Sequence, residues 1–249
     1  GGDATNPASS RKIYEAKGRP SDNPLIVHIA RMESLPAIVR YVPEAAKKLA
    51  EAFWPGPLTM IMEKSEAIPK ETTGGLDTVA VRMPSHPAAL QFIDASGGYV
   101  AAPSANRSGR PSPTSARYVE EDLGGRIEMI LDGGDAQLGL ESTIVDLTVE
   151  PPAVLRPGFI TREALGEVLG QVEQDVTLFS DDGGQAPRAP GMKYRHYAPN
   201  GVLTIVRGPA EEVARYINDG LAEGRINNKK TGVIATDETI GGYKADVPR

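Results

Sequence analysis

The chain predicts an α/β fold, and three features of its sequence carry that prediction. Short apolar runs of strand character alternate with amphipathic helical stretches from one end to the other. Gly, Pro and Ser punctuate the boundaries between them. A length of 249 residues, with 40% hydrophobic and 24% charged content, supplies a sizeable core and leaves room for a smaller second unit.

Taken in order, Ser9 and Ser10 are expected to cap a short helix running through Ala16. Gly18 and Pro20 break it, which places Lys17 and Arg19 in a loop before a buried strand at 24–29. Residues 43–53 set Ala46, Leu49, Ala50 and Phe53 on one helical face, and Trp54-Pro55-Gly56-Pro57 stops that helix before a strand at 58–62. Thr78 to Met83 reads as a strand, His86 to about Ala95 as a helix, and Tyr99 to Ala102 as a strand running into Pro103-Ser104-Ala105-Asn106. A helix follows near Thr114, then strands at 129–131, 143–145 and 154–155, then a helix over 161–169. The segment 181–187 is polar and rich in turn formers, as a linker is. Beyond it, strands at 202–206 and 232–235 around a helix at 209–223 predict a βαβ unit.

Composition narrows the chemistry. With no cysteine there are no disulfides, thiolate nucleophiles or thiolate zinc sites, and His28, His86 and His196 lack metal-ligand spacing. Any metal is expected to be a hard cation such as Mg²⁺. A net charge of −6 opposes an extended nucleic-acid surface but leaves room for a local basic pocket. No apolar run reaches the ~20 residues of a membrane span, so a cytoplasmic protein is expected.

Six groups of residues could do chemistry. Lys17-Gly18-Arg19 allows two cations to converge on one anion, or it is a solvated helix terminus. Ser104 and Asn106 share a face at a strand end, where α/β folds bind ligands, or they form a turn. Arg82, in an apolar strand, requires an anionic partner, whether a substrate carboxylate or a nearby acid. His28 is either a ligand contact or a core histidine. Ser142 and Arg156 sit in strand segments whose polar residues packing does not require. Tyr194, Arg195, His196 and Tyr197 crowd into what should be a linker, which suggests a docking segment or lid. Walker A, GxGxxG, GxSxG and HExxH motifs are all missing.

In combination and order, KGRPSDNPL (17–25), FWPGPLT (53–59), VAVRMP (79–84), APSANRSG (102–109), ESTIVD (141–146), LRPG (155–158) and APGMKYRHYAP (189–199) resemble the threonylcarbamoyl-AMP synthase family, YrdC/YwlC-like, in its long form. The resemblance implies a twisted, mixed sheet with surrounding helices and a concave cavity over 1–174, a linker or lid over 175–200, and the start of a Rossmann-like C-terminal domain over 201–249. It implies a reaction joining L-threonine, bicarbonate and ATP into threonylcarbamoyl-AMP with release of pyrophosphate, on the way to modification of adenosine 37 in tRNA. Carried over position by position, Lys17 and Arg19 match the family's KxR pair and serve as catalytic and ATP-binding residues. Ser104 and Asn106 match its SxN pair, and Ser142 and Arg156 its nucleotide contacts. His28 and Arg82 match threonine-binding positions, and His196 and Tyr197 the lid. Mg²⁺ is expected to arrive with ATP, a downstream threonylcarbamoyl transferase to take the product, and direct tRNA binding is not expected. The family also carries a PTxTVYGLG-like segment upstream of the GGDAT that opens this chain, so the chain is expected to be a trimmed piece. Two competing readings are an RNA-binding module on the concave surface and carbamoyl transfer of the hydrogenase-maturation kind.

Overall fold

A computed structural model of the chain describes residues 1–175, 202–226 and 230–244. The chain divides into two compact units, Gly1–Pro199 and Asn200–Arg249.

The first unit is built around one mixed sheet of eight strands: β1 (Gly2–Asp3), β2 (Ile26–His28), β3 (Leu58–Glu63), β4 (Thr78–Arg82), β5 (Val100–Ala102), β6 (Thr143–Asp146), β7 (Ala153–Arg156) and β8 (Glu173–Gln174). Their spatial order is β1-β5-β2-β4-β3-β6-β7-β8. The β2–β4, β3–β6 and β7–β8 pairs are parallel and the others antiparallel. The helices are α1 (Pro7–Lys17), α2 (Leu35–Ile38), α3 (Glu44–Phe53), α4 (Pro87–Ala95), α5 (Ala116–Leu123) and α6 (Arg162–Leu169).

Alternation along the strands gives the sheet two unlike faces. Leu25, Val27, Ile29, Met60, Val81, Ala101, Val145 and Val154 point to one face and join Tyr14 of α1, Leu35 and Ile38 of α2, Leu49 of α3 and Leu165 of α6 in the main core. On the other face Ile26, Ile61, Ala80, Ile144 and Leu155 form a small cluster of their own. The register sets His28 beside Arg82, Arg82 beside Thr59, Thr59 beside Ile144 and Ile144 beside Arg156, so polar groups continue that second face towards one end. Each fully buried Leu or Ile of the main core contributes about 1.5–3 kcal/mol.

Three expectations need correction. Asn6, not Ser9 or Ser10, caps α1, its Oδ1 accepting from the Ala8 amide, with Pro7 as the first helical residue. Lys17 is therefore the last residue of α1 rather than part of a loop, because the left-handed Gly18 (φ 62°) closes the helix just after it. Residues 129–131 form no strand: no ladder partner flanks them among the described residues, and Met129 and Leu131 are exposed. Short strands at both sheet edges, β1 and β8, carried no legible signal.

The second unit holds α7 (Ala210–Ile226), as the periodicity predicts, and a 3-10 turn at Ile240–Gly242. Asn218 of α7 ties the two together, donating to the Gly242 carbonyl and accepting from the Lys244 amide. The βαβ expectation fails here. Residues 202–206 and 232–235 are not strands, since neither segment has a pairing neighbour among the described residues, and Val202, Leu203, Ile205 and Ile234 lie exposed. No described helix is long and apolar enough to cross a membrane.

Candidate functional site

Lys17, Arg19, His28, Arg82, Ser104, Asn106, Ser142 and Arg156 all line one cavity of about 300 Å³. Residues from six separate stretches of chain thus converge where the polar end of the second sheet face opens. His196 and Tyr197 lie outside the described residues.

Lys17 occupies the cavity's floor. Its side chain is buried, and its ammonium donates to the carbonyl of Ser104 at 2.5 Å and to that of Asn106. The Ser108 amide in turn donates to the Lys17 carbonyl at 3.0 Å. An ammonium has three protons, so two shape the 104–110 loop and the third has no acceptor among the described residues. Burial, and next the charge of Arg19, lower the Lys17 pKa to about 8, with Asp122 opposing the shift. Arg19 lies alongside, held by the Asn23 carbonyl, the Asn23 amide oxygen at 2.6 Å and the Pro24 carbonyl. The Asn106 amide donates to the carbonyls of Arg107 and Arg110, leaving its Oδ1 buried without a hydrogen-bond partner among the described residues.

The opposite wall rises from the sheet. Arg82 donates from Nε to the Gly56 carbonyl at 3.0 Å, so the tight turn after α3 aims the guanidinium. That turn requires glycine, because a Cβ at Gly56 would lie 2.3 Å from the Phe53 carbonyl oxygen. Among the described residues no carboxylate pairs with Arg82. Burial, and then the nearby positive charge of Arg156, lower its pKa. Arg156 donates to the Ser142 carbonyl and, at 3.0 Å, to the Ser142 hydroxyl, which also shares a 2.7 Å hydrogen bond with Thr59. Burial, followed by the Arg82 charge, pushes His28 down to about 4, so its ring is neutral at physiological pH. His28 Nδ1 is buried and has no hydrogen-bond partner among the described residues.

Four cations, Lys17, Arg19, Arg82 and Arg156, thus face one cavity in which Glu141 is the single lining carboxylate among the described residues. In a chain of net charge −6 this concentration suits an anionic ligand, because like charges repel at close range unless an anion sits between them. Its hard oxygen donors are Glu141 and the hydroxyls of Ser104, Ser108, Ser112, Thr114 and Ser142. Among the described residues no group of three acidic or histidine side chains could hold a metal alone. The donor set therefore fits an ion carried in on ligand phosphates rather than one caged by protein.

Sequence reasoning missed Thr59, Ser112 and Asn23, whereas Glu141 opens the polar strand segment it had marked. Thr59 carried a usable signal, a hydroxyl within an apolar strand. Ser112 and Asn23 had none, since polar residues in loops are ordinary.

Two family models match the chain: the Sua5/YciO/YrdC model, described as telomere recombination, over residues 1–158, and the model described as threonylcarbamoyl-AMP synthase, C-terminal domain, over residues 160–247. The threonylcarbamoyl-AMP synthase of Pyrococcus abyssi is 49% identical over 246 residues, covering 99% of this chain and 71% of the relative. That of Bacillus subtilis is 48% identical over 247 residues, covering 99% and 70%. The crystal structure of P. abyssi Sua5 complexed with L-threonine superposes with a TM-score of 0.87 at 47% identity, covering 94% of this chain and 70% of that one.

Proposed function

Because the chain belongs to the threonylcarbamoyl-AMP synthase family, we infer that its cavity joins L-threonine, bicarbonate and ATP into threonylcarbamoyl-AMP, with release of pyrophosphate. The observation that carries this reading is the convergence of four cations on one cavity in an otherwise acidic chain.

The threonine amine condenses with bicarbonate to a carbamate, releasing water. A carbamate oxygen then attacks the α-phosphorus, and the bond from that phosphorus to the bridging oxygen breaks as pyrophosphate departs. No covalent enzyme intermediate is needed, so the protein's work is positioning and charge neutralisation.

Lys17 and Arg19 meet the phosphates, the free proton of the Lys17 ammonium acting as a charge-assisted donor. Ser104 and Asn106 present a hydroxyl and an amide from the loop that Lys17 organises. Arg82 receives the threonine carboxylate, and the neutral His28 ring beside it offers a hydrogen-bonding nitrogen without adding a repelling charge. Ser142 and Arg156, cross-linked to each other, form the nucleotide wall. Mg²⁺ bound with the triphosphate would neutralise charge developing on pyrophosphate, with Glu141 and the serine hydroxyls the available oxygen donors. In this reading residues 1–174 carry the chemistry.

The test is pyrophosphate release with ATP and Mg²⁺, with and without L-threonine and bicarbonate, with the nucleotide product identified by mass. Release that requires both co-substrates and yields threonylcarbamoyl-AMP is expected. Release indifferent to threonine would overturn the assignment.

A further inference from the structure

Asp122 does not line the cavity, yet it is a buried carboxylate at the back of the cavity's phosphate-side loop. It stands near the end of α5 among solvent-exposed acids, Glu120 and Glu121, and is itself turned inward. A buried charge is retained only when its oxygens are satisfied. Both are: Oδ2 accepts from the Arg107 amide at 3.0 Å, and Oδ1 pairs with the Arg110 guanidinium. Arg107 and Arg110 are the residues whose carbonyls hold the Asn106 amide, at 2.9 and 2.8 Å. From the other side the same loop is gripped by the Lys17 ammonium and carbonyl.

We infer that Asp122 is a positioning residue for the proposed reaction: by anchoring Arg107 and Arg110 from behind, it holds Asn106 and the Lys17 ammonium at the phosphate position. The inference rests on the functional reading above for what the loop binds, but not for the anchoring. Asp122 also favours the charged form of Lys17, whereas Arg19 opposes it. Lys12, Glu15, Arg126 and Glu128 line the hollow on the far side of Lys17.

Asp122→Asn keeps the shape and one acceptor while removing the charge. In the full chain it is expected to raise KM for ATP about fivefold or more, with kcat and KM for threonine within about twofold. In the nucleotide-free protein, the Lys17 titration followed by NMR should move down by roughly half a pH unit or more, and Asp122→Glu should restore it. A lowered melting temperature with an unmoved Lys17 midpoint and unchanged KM for ATP would make Asp122 merely structural and overturn the inference. If Asp122→Asn does not fold, Arg110→Gln removes the charged anchor from a half-exposed position, and an unchanged KM for ATP there would be equally fatal. Failure of the unaltered chain to bind ATP would sink the functional reading instead, while the Lys17 titration still decides the positioning.

Discussion

The two faces of the eight-stranded sheet divide the labour of the first unit. One is covered by α1, α2, α3 and α6 and packed with fully buried aliphatics; the other bears a small cluster of five buried apolar residues and gives way to His28, Arg82, Thr59 and Arg156. Neighbouring residues of a single strand serve opposite ends: Val27 is wholly buried in the core while His28, one position on, faces the cavity. A strand's period of two makes this possible, because one backbone position can be fixed by packing on one side and used for chemistry on the other. Substitutions should therefore separate cleanly into those that cost stability and those that cost turnover.

The sharpest break of that contrast is on the cavity side. Lys17→Ala or Arg19→Ala is expected to lower kcat/KM by about a thousandfold, since each removes a charge-assisted contact to the phosphates. Steady-state pyrophosphate release checks this, and a loss under tenfold would remove these two from the site. On the packed face Leu49→Ala should cost about 2–5 kcal/mol in denaturant unfolding while leaving KM for both substrates unchanged in the folded protein. A KM shift there would mean the faces are coupled.

Arg82→Ala is expected to raise KM for threonine by about tenfold to a hundredfold with KM for ATP little altered, as isothermal titration with each ligand would reveal. The pH profile sharpens the division further. Lys17, with its folded pKa near 8 against 10.5 unperturbed, loses its charge as pH rises through 8, so kcat/KM for ATP should fall above that point. Its stability term runs the other way: between pH 8 and 10.5 the unfolded chain binds the extra proton, so stability rises with pH there. His28, depressed from 6.5 to about 4, makes the unfolded state the better proton acceptor between those values, and stability should decline as pH falls through that window. Thermal melts across pH 4–10 would expose both slopes, and a flat profile from 4 to 6.5 would mean that His28 is not a buried neutral ring. The smallest effect belongs to neither face. Arg11→Ala breaks an exposed pair with Glu71 and should change stability by less than about 1 kcal/mol with no effect on turnover.

Much of this was legible without coordinates. Helices α3, α4, α6 and α7 and strands β3, β4, β6 and β7 follow from periodicity and punctuation, since long amphipathic patterns and apolar runs report burial directly. Segments at 129–131, 202–206 and 232–235 misled for the complementary reason: a run can have strand character, yet a strand exists only where a neighbour supplies its ladder. The residues of the site were marked individually as cations, hydroxyls and amides in odd places, and each had an ordinary alternative.

By itself the sequence determined the α/β class, the order of most elements, the lack of thiol chemistry and, through its ordered motifs, the family. The tertiary structure alone decided that four cations from distant stretches face one cavity, that Arg82 has no acidic partner among the described residues, and that Lys17 spends two of its three protons shaping a loop. The physical reason is that hydrophobic periodicity is a local property written in consecutive residues. Charge convergence, burial and hydrogen-bond satisfaction depend instead on which distant segments the sheet brings together.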